Sequence, residues 1–181
     1  MAAVPDLIVH INGWPGTGKL TIGRLLADRL GARLLDNHTM INPAEALFSR
    51  ADPLNRSLRE AVRGAVFDHL SRVPPGSSYV FTDALSDDAA DQKTFEWYFD
   101  LARARGARLA AVVLDCDLDE NRRRLVAGER AGHRKLVDLS VLEGLRARHR
   151  LLRAPADIRF ELDVTALAAE EAARVIAGRL A

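Results

Sequence analysis

Nine consecutive residues, Gly13-Trp14-Pro15-Gly16-Thr17-Gly18-Lys19-Leu20-Thr21, combine three glycines and a lysine at the spacing of a phosphate grip. Glycines at 13, 16 and 18 let the backbone take positive φ and turn its N–H groups inward. A helix beginning at Lys19 would point the positive end of its dipole at the same spot. Lys19 adds an ammonium that can reach the β and γ phosphates of a nucleotide. The bland alternative is a glycine-rich turn between strand and helix that happens to carry a lysine.

The flanking sequence supplies the elements that such a loop needs. Leu7-Ile8-Val9-His10-Ile11-Asn12 is a short apolar run with a β-branched bias, as a parallel strand buried on both faces should be. Lys19 to Leu30 carries Ile22, Leu25, Leu26 and Leu30 on a helical stripe, and Gly31 is a natural C-cap. Arg33 to Asn37 reads as a second strand ending in polar groups. Asn42-Pro43 predicts a helix start running to Arg50, and Asp52-Pro53 predicts another running to Val73, stopped by Pro74-Pro75-Gly76.

Further strands are expected over Ser78 to Thr82, with Asp83 at the carboxyl end, over Leu109 to Leu114, and over Ile158 to Leu162. Helices are expected over Asp87 to Arg105, Asp117 to Val126 and Asp138 to Leu152, with a last one starting near Ala168. Strands alternating with helices at these separations imply an α/β fold, a parallel sheet covered on both faces through right-handed crossovers.

Composition narrows the classes. The chain has 181 residues, of which 48% are hydrophobic, which is consistent with one globular domain. A formal charge of +1 with no long one-signed tract argues against nucleic acid as a partner. Cys116 is the lone cysteine, so an intramolecular disulfide and a cysteine-based zinc site are excluded. With no basic region before an apolar run near Met1, and no apolar stretch of spanning length, the expectation is a cytoplasmic protein without a membrane partner. A monomer or homodimer is expected.

In open α/β sheets ligands gather outside the carboxyl ends of the strands, where Asp36 and Asp83 both stand. Phosphoryl transfer needs a carboxylate to orient the attacking hydroxyl and accept its proton, and a group to hold hydrated magnesium. Asp36 is assigned to the hydroxyl and Asp83 to Mg2+, with Thr21 either joining the metal or only capping the helix. Each aspartate has a plainer role open to it, capping the next turn. Arg56, Arg59 and Arg63 would suit an acidic substrate, or form an exposed helix face. Asp87, Asp88 and Asp91 would suit a cationic substrate, or complement a helix dipole. His38 is placed at the mouth of the site or on a turn.

The loop resembles the GxPGxGKGT arrangement of adenylate kinases, which also lacks a hydroxyl directly after its lysine; Leu20 stands where that pattern has glycine. The stretch from Arg124-Leu125 to Arg130 and His133 resembles the RLxxRxxHF lid region of gluconate kinases, and Asp36 falls where similar shikimate kinases carry functional aspartates. This resemblance to P-loop small-molecule kinases implies a three-layer α/β/α P-loop NTPase. Its five-stranded parallel sheet would run in the order 2-3-1-4-5, with a short lid over about 128–137. It implies ATP and Mg2+ as cofactors and a small-molecule hydroxyl acceptor. Gly13 to Thr21 and Arg124 would hold the nucleotide, and Lys19, Asp36, Arg130 and Arg134 would be catalytic. In such relatives Asp163-Val164-Thr165 falls at the adenine-contacting loop. A nucleotide-binding regulator or slow ATPase is the rival reading.

Overall fold

The computed structural model describes residues 6–127 and 138–181. Five strands, β1 (Leu7–Gly13), β2 (Arg33–Asp36), β3 (Tyr79–Asp83), β4 (Arg108–Asp115) and β5 (Ile158–Asp163), form one parallel sheet in the order β2-β3-β1-β4-β5. The helices are α1 (Lys19–Leu30), α2 (Asn37–Leu47), α3 (Pro53–Ser71), α4 (Ala89–Arg105), α5 (Leu118–Val126), α6 (Leu139–Arg148) and α7 (Ala169–Leu180).

Side-chain alternation along the strands divides the core in two. Val9, Ile11, Val80, Ala110, Val112 and Leu114 face one way and pack with Ile22 and Leu26 of α1 and Ala172, Ala173 and Ile176 of α7. Ile8, Tyr79, Phe81, Leu109 and Ala111 face the other way, under Phe67 of α3 and Phe95, Tyr98 and Leu101 of α4. The middle strands are therefore apolar on both faces, whereas the edge strand β5 alternates between half-buried and exposed residues. Gly23 lets α1 approach the sheet, since a Cβ there would lie 3.1 Å from Thr82 Cγ2 and 3.3 Å from Leu34 Cδ1.

The two largest departures from the sequence expectation lie at element boundaries. The second helix starts at Asn37 and keeps Pro43 inside it, because Asp36 supplies a cap directly at the strand end, its Oδ1 accepting from His38 N at 2.8 Å. Asn42-Pro43 mimics a start signal that the chain has already spent six residues earlier. The helix expected to reach Leu152 stops at Arg148. Leu151 and Leu152 instead pair with the turn after β3, through a Ser86–Leu151 bridge and a Leu152 N to Leu85 O bond of 3.0 Å.

Candidate nucleotide and phosphoryl-transfer site

The glycine loop joins β1 to α1 at the carboxyl edge of the sheet's centre. Gly16 and Gly18 hold φ of 96° and 88°, and Gly13 is held by crowding: a Cβ there would lie 2.6 Å from the Leu114 carbonyl oxygen. The side chains of Asp36, Asp52, Asp88, Asp117 and Asp138 cap α2, α3, α4, α5 and α6. At α1, as at α7 with Ala168, no side chain caps the helix, and only at α1 is the cap position a left-handed glycine, Gly18. Uncapped first-turn amides with the helix dipole behind them are an arrangement suited to an anion.

Lys19 Nζ donates to the carbonyls of Gly13 at 2.7 Å and Trp14 at 2.9 Å, which places the cation inside the loop. Thr17 is fully buried and donates through Oγ1 to the Trp14 carbonyl at 3.0 Å, while Leu20 is half-buried and Thr21 is exposed on the first turn of α1. The Trp14 ring does not flank the open face of the loop. It is buried among Val113, Leu125, Leu142 and Leu151, with the Arg146 guanidinium 5.9 Å from its centroid. Pro15 presents its carbonyl to Asn121 Nδ2 at 2.8 Å. A polar cavity of about 470 Å³ opens beside Trp14, walled by Asp115, Arg146, His149 and Arg150. A larger groove of about 670 Å³ runs between α4 and residues 150–155, over Phe95, Phe99 and Leu152, and no loop residue lines it.

Asp36 and Asp83 both end strands, as expected, and sit on neighbouring β2 and β3. Asp36 is half-buried and caps α2. Asp83 is 2% exposed, and its carboxylate is committed to protein partners rather than presented to a cation. Its Oδ2 accepts from His10 Nε2 at 3.1 Å and from the Tyr98 hydroxyl, and Arg63 Nη2 lies 3.9 Å from Oδ1. Burial opposes ionisation of Asp83, yet the His10 hydrogen bond and charge, then Arg63 and Tyr98, hold its pKa below the ordinary 3.8. Burial, then the Asp83 charge, pushes the Tyr98 phenol well above its usual range.

This network predicts an acid-labile fold. A carboxyl that ionises more readily when folded contributes its full stability above its unfolded value of 3.8. That contribution is lost as the pH falls through the lower folded value. Asp83→Asn should lower stability at pH 7 by about 3 kcal/mol, because it leaves Arg63 without its buried counter-charge, and should flatten the dependence of the melting midpoint on acid. Thermal melts from pH 7 to pH 3 check both.

The three arginines of α3 do not converge on one ligand. Arg56 pairs with Glu60 and Arg59 with Glu45, and only Arg63 turns inward, its Nη1 donating to the Tyr98 hydroxyl at 3.3 Å. Asp88 caps α4 and Asp91 accepts from Ser86 N, so these acids serve the turn after β3. His38 is half-buried in the first turn of α2 beside Asp36.

Arg124 donates through Nη2 to the carbonyls of Val164 at 2.8 Å and Thr165 at 3.1 Å, and pairs with Glu120. It thereby ties α5 to the turn that follows β5. Arg122 pairs with Asp119 and Glu143, and Arg123 with Glu120, forming a salt-bridged helix surface. Arg130 and Arg134, and the lid expected over 128–137, lie outside the described residues. His10, Arg63 and Tyr98 as partners of Asp83, and Asn121 and Arg146 behind the loop, were not legible as site residues. A buried asparagine sharing a helix face with Leu125, in a segment otherwise dense in charge, was the one available signal.

A parallel sheet in this order, with an uncapped glycine loop and lysine opening the helix after its central strand, defines a P-loop kinase-like domain. The model of the AAA domain family matches residues 8–152, and the chain belongs to that family. Solved structures share the fold. A gluconokinase from Sinorhizobium meliloti 1021 is 18% identical, covering 97% of this chain and 91% of its own, with a TM-score of 0.62. A sugar kinase from Janibacter sp. HTCC2649 is 20% identical, covering 97% and 95%, with a TM-score of 0.63. The APS kinase CysC of Mycobacterium tuberculosis, in complex with AMPPNP and APS, is 16% identical, covering 97% and 98%, with a TM-score of 0.59. A UPF0200 protein of Aeropyrum pernix is 32% identical over 99 residues, 50% of this chain and 53% of its own. The chain thus spans about half the length of that curated relative. Among the described residues no helix is long and apolar enough to cross a membrane.

Proposed function

We propose that the chain is an ATP- and Mg2+-dependent phosphotransferase that moves the γ-phosphoryl group to a hydroxyl of a small-molecule acceptor. The observation that carries this reading is the start of α1, where a helix without a side-chain cap meets left-handed glycines and the Lys19 ammonium. That combination has a use for an anion and little use otherwise. The structurally similar kinases, one of them holding AMPPNP and APS, support the same direction.

In this reading the amides of Gly16 and of Gly18 to Thr21 and the Lys19 ammonium hold the β and γ phosphates, and Arg124 steadies the turn at Val164 and Thr165 against which the base would rest. Asp36 orients the acceptor hydroxyl and takes its proton. As the acceptor O–P bond forms, the bridging P–O bond to the β phosphate breaks, and ADP leaves. Magnesium arriving with the triphosphate would be held by phosphate oxygens and the exposed Thr21 hydroxyl, and would neutralise charge there. The Asp83 carboxylate, buried on His10 and Tyr98, is left out of that shell and stiffens the end of β3 instead. Arg130 and Arg134 keep the role proposed from the sequence, adding positive charge to the moving group.

ADP release measured against pooled sugars, nucleosides, shikimate-like acids and aminoglycosides tests the proposal: at least one pool should raise it above the basal rate. A regulator or slow ATPase is the second reading. It is favoured by Trp97 and Phe99, which α4 leaves 37% and 49% exposed. Turnover that no acceptor stimulates would support it and sink the transferase.

A further inference from the structure

We propose that Asn121 is a positioning residue of the nucleotide site, setting the plane of the Pro15–Gly16 peptide from behind the loop, and that Arg146 sets Asn121. This inference rests on the nucleotide reading given above. Asn121 lies on α5, far from the loop in sequence, and is fully buried. Both ends of its amide are used: Nδ2 donates to the Pro15 carbonyl at 2.8 Å, and Oδ1 accepts from Arg146 Nη1 at 3.0 Å.

That pairing has only one workable sense. Turned over, the amide would set oxygen against the Pro15 oxygen and NH2 against a guanidinium, two repulsive contacts in place of two bonds. Arg146 is in turn anchored at the end of β4, where Nη1 donates to Asp115 Oδ1 at 3.0 Å and Nη2 to the Cys116 carbonyl at 3.1 Å, and it lies over the Trp14 ring. A cation bound to the amide oxygen also polarises the group and makes its N–H the better donor. The sheet, α6 and α5 therefore converge on a single carbonyl of the loop.

A peptide unit is planar and trans, so drawing the Pro15 oxygen toward α5 turns the Gly16 N–H to the opposite side. That side is the phosphate side in this proposal. Gly16 shows the fit from the loop's direction: a Cβ there would lie 2.6 Å from Asn121 Nδ2 and 3.1 Å from the Asn121 carbonyl oxygen. Glycine at 16 is thus required by its φ of 96° and again by the side chain packed behind it. A residue that only filled space would need neither a donor aimed at the loop nor a cation fixing its orientation.

Asn121→Asp keeps the shape and the Arg146 contact but replaces the donor with an oxygen facing the Pro15 oxygen. Asn121→Ala removes both contacts. Calorimetry with MgATP and no acceptor should give a Kd at least tenfold weaker for either variant, with the melting midpoint of Asn121→Asp within about 4 °C of wild type. Arg146→Met should weaken MgATP in the same direction by a smaller factor. In turnover the loss should fall on KM for ATP, with KM for the acceptor unchanged. Wild-type affinity in a folded Asn121→Asp overturns the proposal, as does an equal loss in both KM values. Should Asn121→Asp fail to fold, Asn121→Ala and Arg146→Met decide by the same readout. If wild type itself binds no MgATP, the nucleotide reading fails first, which separates the two claims.

Discussion

Lys19→Met will all but abolish phosphoryl transfer, lowering kcat/KM for ATP by roughly 10³, about 4 kcal/mol of transition-state stabilisation. The ammonium has two jobs that methionine cannot do. It supplies positive charge where negative charge shifts during transfer, in a loop whose other donors are neutral amides. It also bonds the Gly13 and Trp14 carbonyls at 2.7 and 2.9 Å, keeping two acceptor dipoles engaged that would otherwise repel a phosphate. The second job is a folding contribution as well, worth about 1–2 kcal/mol for two hydrogen bonds in a part-buried setting. A drop of several degrees in the melting midpoint should therefore accompany the loss of activity. Lys19→Arg should not restore the rate, because a planar fork cannot sit between two carbonyls and a phosphate as a compact ammonium can. Steady-state kinetics beside a thermal melt checks both effects. Activity within threefold of wild type in Lys19→Met would mean that the loop does not hold the phosphates of the reacting nucleotide.

What the sequence disclosed, and what it hid, follows from the range of the interactions involved. The strands were legible because a central parallel strand is apolar on both faces, so Leu7 to Asn12 and Leu109 to Leu114 declare themselves without reference to anything else. The loop was legible for a related reason: its glycines answer to local φ and its lysine reaches carbonyls five and six residues back. Long-range pairings were not. The helix ahead of β5 ends at Arg148 because Leu151 meets Ser86, a partner that no local pattern announces. Asp83 could be placed at its strand end, but the His10 that accounts for its inward turn lies 73 residues away, and the contact between Asn121 and Pro15 spans 106. Arg124 is intermediate: the helix face was readable, while its bonds to the Val164 and Thr165 carbonyls depend on β5 lying next to β4. The arginine row on α3 could be read as one acidic-substrate site or as an exposed helix face, and the fold gives its members three separate partners.

Asp36→Asn should leave the fold and MgATP affinity unchanged while lowering kcat by roughly 10²–10⁴. The substitution is informative because of where the carboxylate sits. Asp36 caps α2, its Oδ1 accepting from His38 N at 2.8 Å, and that contact alone would justify an aspartate at the position. Asparagine is as good a cap as aspartate, since its amide oxygen accepts the same N–H, so the structural role survives. What disappears is the negative charge and the ability to take a proton from an attacking hydroxyl. Asp36→Ala removes cap and charge together and should cost about 1 kcal/mol of stability on top of the same kinetic loss. Comparing the two divides what the carboxylate does for the helix from what it does for the acceptor. Should Asp36→Asn turn over as fast as wild type, the carboxylate is a cap and nothing more. The base would then have to be sought among the other groups at the carboxyl ends of the strands. The buried His10–Asp83–Tyr98 network is a poor substitute, because its carboxylate is 2% exposed and already bonded to His10 and Tyr98.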